Sequence, residues 1–384
     1  RAQNVVFQKP RVLSRSGALM DIRELAPQHI RGITPYQPGK PISELAREMN
    51  LDEASIIKLA SNEKPLGVSP RAQVAIRAVL SDLSRYPDGN GFELKHALER
   101  HYGVPAESIV LGNGSNDVLD LAARAFLTAG CEAVYSQHAF AVYPLAVQAS
   151  GARGVEVPAR DFGHDLDAMA AAVTQDTRIV FIANPNNPTG TLAPAARLER
   201  FIAELPAQVL IVLDEAYNEY LPEAVRVDTL QWLPRFANLI ITRTFSKVYG
   251  LAGLRVGYAF ASPAVADLLN RVREPFNVNS VALAAAAAAL DDLEFVRRSY
   301  EVNRRGMVQI TDGLTALGLE FIPSYGNFVT FKTHAAGQVF QRLLASGVIV
   351  RPVAGYGMPD HLRVTIGLES ENARFLESLG RVIA

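Results

Sequence analysis

Two stretches of this chain, Ile179-Val180-Phe181-Ile182 and Val209-Leu210-Ile211-Val212-Leu213, carry no polar position at all, and no other feature limits the fold as much. A strand with one wet face alternates apolar and polar residues; a strand without polar positions needs cover on both sides. Helices can supply that cover. Further short strand-like runs at Ser108–Leu111, Ala133–Ser136, Gly154–Val157, Leu239–Thr242 and Val256–Phe260 are separated by helix-forming stretches. This alternation predicts βαβ units and a mostly parallel sheet, so the expected fold class is α/β with a three-layer α/β/α large domain.

After Pro275 the texture changes. A long helix-forming stretch from about Ser280 to Leu317 precedes strand-like runs at Phe328–Lys332, Val348–Pro352 and Leu362–Ile366 and a final helical segment, which predicts a second, smaller α+β domain. Pro35, Pro38, Gly39 and Pro41 keep the segment from Gly32 to Pro41 extended, as an arm. The expected division is an N-terminal arm over residues 1–40, a large domain over 41–275, of which 41–70 could instead join the small one, and a small C-terminal domain over 276–384. A chain of 384 residues is long enough for two cores.

Charge and cysteine usage narrow the partners. With 38 basic and 39 acidic residues the formal charge is -1, so no global field draws the chain to nucleic acid or to an anionic membrane, and small molecules are the expected partners. Val281–Leu290 is too short and too rich in alanine to span a bilayer. The N-terminal residues lack the basic-then-apolar order of a secretory signal. Cys131 is the sole cysteine, which excludes an internal disulfide and fits a reducing compartment, the cytoplasm. His101, His138 and His164 lack metal-ligand spacing, so no metal is expected.

Four segments fall at the expected C-terminal ends of the strands, where open α/β sheets place their ligands. Thr244-Phe245-Ser246-Lys247 follows Leu239–Thr242. A lysine there either lies in solvent, as most do, or points into a cleft, where burial and neighbouring cations make its amine a nucleophile toward carbonyls. Asp214 ends the run Val209–Leu213. It either caps a helix or, buried, needs a cationic partner such as a protonated pyridine nitrogen, with Tyr217 in reach of an oxygen on the same ring. Gly112-Asn113-Gly114-Ser115-Asn116 is either a plain helix cap or a phosphate site built from free N–H groups. Its spacing matches neither the dinucleotide fingerprint nor the P-loop. Asn184-Pro-Asn-Asn-Pro-Thr-Gly follows Ile179–Ala183 and offers the Asn187 side chain to the same edge.

In order along the chain, Thr34-Pro-Tyr36-Gln-Pro-Gly-Lys-Pro, Ser61-Asn-Glu-Lys-Pro-Leu-Gly, Arg85-Tyr86-Pro-Asp-Gly, the Asn184 motif, Thr244-Phe-Ser-Lys-Val-Tyr-Gly-Leu-Ala-Gly-Leu-Arg, Pro275-Phe-Asn-Val-Asn and Leu362-Arg-Val-Thr-Ile-Gly resemble the fold-type-I enzymes that use pyridoxal 5′-phosphate (PLP), and within them the histidinol-phosphate aminotransferases, from about Gly32 onward. The resemblance implies that Lys247 holds PLP as a Schiff base, that Asp214 faces the pyridine nitrogen, and that Tyr217 and Asn187 face the phenolic oxygen. It places Ser115, Asn116, Ser246 and Arg255 on the phosphate with Thr244 beside them, and Phe140 stacked on the ring. Tyr86 would cross from the partner subunit of a homodimer. Arg363 would grip the substrate's anionic end, helped by Arg351, Tyr36 and Asn187. Lys64, Asn116-Asp117 and Phe140 depart from the family's commoner residues. Tyr143, Tyr249, Trp232 and Cys131 are expected in the core.

The implied reaction is transamination of L-histidinol phosphate with 2-oxoglutarate, giving imidazole acetol phosphate and glutamate in histidine biosynthesis. The alternatives are an aromatic amino acid aminotransferase, a PLP decarboxylase of a phosphorylated amino acid, and a non-catalytic protein that retains the fold.

Overall fold

The two apolar runs lie side by side at the centre of a seven-stranded sheet. The computed structural model describes residues 11–13 and 19–383; the remainder of the expected arm's start, residues 1–10 and 14–18, and Ala384 lie outside the described residues. The strands of this sheet are β1 (Ile109–Gly112), β2 (Glu132–Ser136), β3 (Arg153–Val157), β4 (Thr177–Ala183), β5 (Leu210–Asp214), β6 (Leu239–Thr244) and β7 (Gly257–Ala261). Their spatial order is β1-β7-β6-β5-β4-β2-β3, and only β7 runs antiparallel to its neighbours. All seven expected strands are present, each within about two residues of its expected ends.

Both faces of the sheet are covered. Val180, Ile182, Ile211 and Leu213 enter one hydrophobic cluster, while Ile179, Phe181, Leu210 and Val212 enter another on the opposite face. Burying each such side chain contributes ~1.5–3 kcal/mol relative to leaving it exposed, which is why an all-apolar strand is stable only in this position.

The register also builds an edge. Ala183 pairs with Asp214, Asp214 with Thr242, Thr244 with Gly257, and Gly257 with Gly112. The C-terminal ends of four strands, β1, β4, β5 and β6, and the start of β7 therefore lie in one row, and the loops that leave them converge.

The C-terminal part forms a four-stranded antiparallel sheet of β8 (Phe321–Ile322), β9 (Phe328–Lys332), β10 (Arg351–Pro352) and β11 (His361–Thr365) in the order β8-β9-β11-β10. The helices Leu293–Ala316, Ala336–Ala345 and Glu369–Ile383 contribute to its core. Two details depart from expectation. The run Val348–Pro352 divides: Val348–Ile349 pairs in parallel with Ile57–Lys58, whereas Arg351–Pro352 pairs with β11. The long helical stretch breaks at Asp291-Asp292, because Asp292 caps a new helix by accepting from the Phe295 N–H. The first piece, Ser280–Leu290, places Ala282, Ala285, Ala286 and Ala289 in the core of the large sheet, packed on the helices Pro70–Val79 and Phe92–Tyr102. Alanine on so many positions lets three helices approach closely. The helix Ile42–Met49 packs the other way, with Leu45 and Ala46 against Leu344 and Ile349 of the C-terminal part.

Candidate functional site

The loops along the sheet's edge enclose a cavity of about 180 Å³. Tyr36, Ser115, Asn116, Phe140, Asn187, Asp214, Tyr217, Thr244, Ser246, Lys247, Arg255, Arg351 and Arg363 all line it. The structure thus brings together every residue singled out from the sequence except Tyr86. That residue stands 82% exposed, stacked on Phe276 with ring centroids 4.8 Å apart.

At one end of the cavity the sequence has been shaped for an anion. The helix Ser115–Phe126 begins without a side-chain cap, and since the Asp117 N–H donates to the Gly114 carbonyl, the Ser115 and Asn116 N–H groups are left without a hydrogen-bond partner among the described residues. Asp117 turns back to accept from the Asn113 N–H and from Asn277 instead. A Cβ at Gly114 would run into the Arg255 guanidinium, and one at Gly257 would strike the Ser115 backbone nitrogen. Arg255 itself reaches Ser246 Oγ at 3.4 Å. The glycines keep a cradle open between a helix terminus and a cation, which is the construction of a phosphate site.

In the middle lie Asp214 and Lys247. Asp214 ends β5 with 5% exposure; Tyr143 donates to its Oδ2 at 2.8 Å and the Ala216 N–H to its Oδ1 at 3.2 Å. Both donors are neutral. Burial pushes this carboxyl above the usual carboxylate range, against the pull of the Tyr143 hydrogen bond. The adjacent Glu215, in contrast, points to the other face and is fully paired with Arg243. Lys247 follows β6, and among the described residues its side chain makes one hydrogen bond, Nζ to the Ser61 carbonyl at 3.3 Å. Burial, then the nearby Arg363 and Arg255, push its amine down to about 7. Tyr217 is held by Asn62, whose Nδ2 donates to the phenolic oxygen at 2.8 Å, and burial pushes its hydroxyl up to about 12.

The far end presents two arginines. Arg351 and Arg363 are direct cross-strand partners on β10 and β11, so their side chains leave the same face of the sheet. Arg363 donates to Asn187 Oδ1 and to the Ala60 carbonyl, and Arg351 donates to the Gln37 carbonyl at 2.6 Å beneath the Tyr36 ring. Like charges directly opposite one another are unfavourable, and an anion between them removes the conflict. Because Asn187 Oδ1 is taken by Arg363, the group that this cavity-lining side chain has left to offer is its amide nitrogen, a donor.

Sequence reasoning missed three residues here. Asn62, Tyr356 and Ser61 contact or line the site, and Tyr143, expected only in the core, is both fully buried and bonded to Asp214. Replacement of Tyr143 by phenylalanine keeps the packing on Phe181 but removes one of the donors to Asp214. A neutral-to-charged hydrogen bond of this kind is worth ~1.5–3 kcal/mol, so a fall in turnover of roughly 10-fold or more is expected; equal turnover in steady-state assays would remove Tyr143 from the site.

The comparisons with known proteins agree with this geometry. The family model described as aminotransferase class I and II matches residues 54–379. The chain is 63% identical to a histidinol-phosphate aminotransferase of Methylobacillus flagellatus, over 94% of this chain and 98% of the relative. It is 60% identical to histidinol-phosphate aminotransferase 2 of Pseudomonas aeruginosa, over 95% of this chain and 100% of the relative. A solved histidinol-phosphate aminotransferase from Sinorhizobium meliloti, in complex with pyridoxal-5′-phosphate, superposes with a TM-score of 0.86 at 30% identity, covering 94% of this chain and 97% of that one. A lysine driven toward neutrality, a buried carboxylate with neutral donors and a glycine-lined cradle beside an arginine occur together in one cavity, and the chain belongs to the class I and II aminotransferases.

Proposed function

We propose that the protein transfers the amino group of L-histidinol phosphate to 2-oxoglutarate, using PLP, as a step of histidine biosynthesis. The observation that carries this reading is the Arg351–Arg363 pair. Two guanidiniums opposed across one pair of strands offer two positive charges to a phosphate dianion, more than the single carboxylate of an aromatic amino acid needs, and they also accept a carboxylate of the second substrate. The names of the relatives point to the same substrate.

The cavity's donor set fits PLP. The cradle of Ser115, Asn116, Ser246 and Arg255 would hold its phosphate, Asp214 would supply the countercharge to its ring nitrogen, and Phe140 would lie against the ring. When bound, PLP supplies a carbonyl carbon for amines and a ring that accepts the electron pair left at the substrate's α-carbon. Lys247 would hold the cofactor covalently, and its Nζ, favoured in the neutral form, would serve as the base for the substrate's α-proton. Asp214 would keep the ring nitrogen protonated, while Tyr217 and the amide nitrogen of Asn187 would donate to the phenolic oxygen.

The same reading makes the protein a homodimer, with Tyr86 completing the partner's phosphate cradle; its exposure and its stacking on Phe276 support this. No described helix is long and apolar enough to cross a membrane, and with a single cysteine this supports a cytoplasmic location and small-molecule partners only.

Steady-state assays test the substrate. Replacement of Arg363 by glutamine is expected to lower kcat/KM for histidinol phosphate by ~100-fold, as for the loss of one charged partner of a buried anion. The effect on phenylalanine, if it reacts at all, is expected to be smaller. Higher kcat/KM for phenylalanine than for histidinol phosphate in the parent protein would favour the aromatic aminotransferase, and carbon dioxide release without a keto acid would favour the decarboxylase.

A further inference from the structure

Asn62 occupies an unusual position for a residue without an assigned role. It lies 1% exposed with φ +55°, in the left-handed region that costs most side chains energy but that asparagine tolerates. Glycine would satisfy the backbone equally well. The side chain must therefore have a use, and its contacts show it. The Asn62 N–H donates to Thr365 Oγ1 at 2.9 Å, the Thr365 hydroxyl lies 3.3 Å from Asn62 Oδ1, and the Asn62 carbonyl accepts from Asn327 at 3.0 Å. The remaining donor, Nδ2, goes to the Tyr217 oxygen at 2.8 Å.

These bonds fix more than position. Thr365, by sitting against Oδ1, keeps the amide from turning over, so Tyr217 always meets the NH₂ group and never the oxygen. A phenol that accepts from Asn62 must direct its own proton elsewhere, and the open direction is the cavity. Thr365 stands on β11 two residues beyond Arg363, so both side chains leave the same face of that strand. The strand that would grip the substrate's anion thus also holds the residue that aims the Tyr217 proton.

We infer that Asn62 is a positioning residue, which directs the Tyr217 hydroxyl onto the phenolic oxygen of the cofactor and links that donation, through Thr365, to the occupancy of the arginine pair on β10 and β11. The inference rests on the proposed placement of Tyr217 against the cofactor. A donor on the phenolic oxygen withdraws charge from it and makes the neighbouring nitrogen, the one joined to Lys247, easier to deprotonate. Loss of the donation raises the pH at which that nitrogen loses its proton. The charged and titratable groups around Tyr217 and the Lys247 nitrogen are Asp214, Arg363, Arg255, Glu63 and Tyr356; Thr365→Val replaces none of them and adds no charge, whereas Asn62→Asp adds one carboxylate beside them.

The test is a spectrophotometric pH titration of the resting, PLP-loaded protein, without turnover. Asn62→Asp places an acceptor where the donor was and draws the Tyr217 proton away; the midpoint of the visible band is expected to rise by about one pH unit. Thr365→Val keeps the shape but releases the amide. In the parent, saturating inorganic phosphate at the arginine pair is expected to shift the midpoint, and in Thr365→Val at least half of that shift is expected to vanish, whereas a purely direct electrostatic effect of the anion would survive. An unmoved midpoint in Asn62→Asp, or a full phosphate shift in Thr365→Val, overturns the inference. If Asn62→Asp does not fold, Thr365→Val decides alone. Tyr217→Phe separates the two levels: if it leaves the midpoint unchanged, the placement of Tyr217 fails and the inference with it; if it raises the midpoint while the other two variants do not, the inference alone fails.

Discussion

Alanine in place of Lys247 is expected to lower turnover by ~10⁴-fold or more and to abolish the visible band of the covalently held cofactor, while the protein still folds and still takes up PLP in its phosphate cradle. The size follows from the double use proposed for one amine, as nucleophile toward the cofactor and as the base that moves the α-proton; removing a general base alone costs ~10²–10⁴-fold. Turnover within ten-fold of the parent would refute the assignment. The pH dependence carries a second, independent check. Burial, followed by Arg363, pushes the amine down to about 7, and only the neutral amine attacks. Capture of PLP by the cofactor-free parent should therefore be nearly constant above that pH and fall by about tenfold per unit below it. Stability reports the same depression. Between about 7 and the ordinary lysine value of 10.5 the unfolded chain binds more protons at this site than the folded one, so the contribution of Lys247 to stability rises with pH across that window. The alanine variant without cofactor should melt higher than the parent at pH 6, and the difference should shrink as the pH is raised.

The parts of the molecule that could be read from sequence are those in which local pattern and final environment coincide. The seven strands announce themselves because the sheet is covered on both faces, so that even neighbours such as Ile211 and Val212, which enter opposite cores, are both apolar. Lys247, Asp214 and Ser115 are legible for a related reason: each stands at the C-terminal end of a strand or within three residues beyond it, and a parallel sheet delivers all such positions to one edge. What escaped the sequence is pairing over distance. Tyr143 and Asp214 are 71 residues apart, and Asn62 and Tyr217 are 155 apart; a tyrosine within an apolar helix reads as core because nothing local records the carboxylate above it. The run Val348–Pro352 likewise looked like one strand, since composition does not show that its two halves pair with different sheets. The alanine-rich helix Ser280–Leu290 follows the boundary at Pro275 in sequence but packs back across it, because alanine carries no periodic polar face that would indicate which side is buried.

Asparagine in place of Asp214 should divide the properties of the cofactor-free and cofactor-bound protein. The carboxylate lies 5% exposed and its donors, Tyr143 and the Ala216 N–H, are neutral. In the absence of PLP it is a buried charge without a countercharge, and burial accordingly raises its pKa. A carboxyl with a raised folded pKa lowers stability once the pH exceeds its ordinary range near 3.8, and does not do so below it. Asparagine fits the same space, keeps an acceptor for the Ala216 N–H, and can donate to the Tyr143 oxygen, which is able to accept. The cofactor-free variant is therefore expected to melt a few degrees above the parent near pH 7, and the difference should disappear as the pH approaches 4. With PLP present the order should reverse, because the charge that burdens the empty fold is the one that keeps the ring nitrogen protonated; the variant should gain less thermal stability from the cofactor than the parent does. Turnover should fall by ~10²–10³-fold, the scale measured when a preorganised electrostatic partner of developing charge is removed. Thermal melts with and without PLP at two pH values, together with a single rate measurement, distinguish this account from one in which Asp214 merely terminates a strand. A structural cap would lose stability in both states and show no reversal, whereas a residue held in reserve for a cation must be unfavourable until the cation arrives.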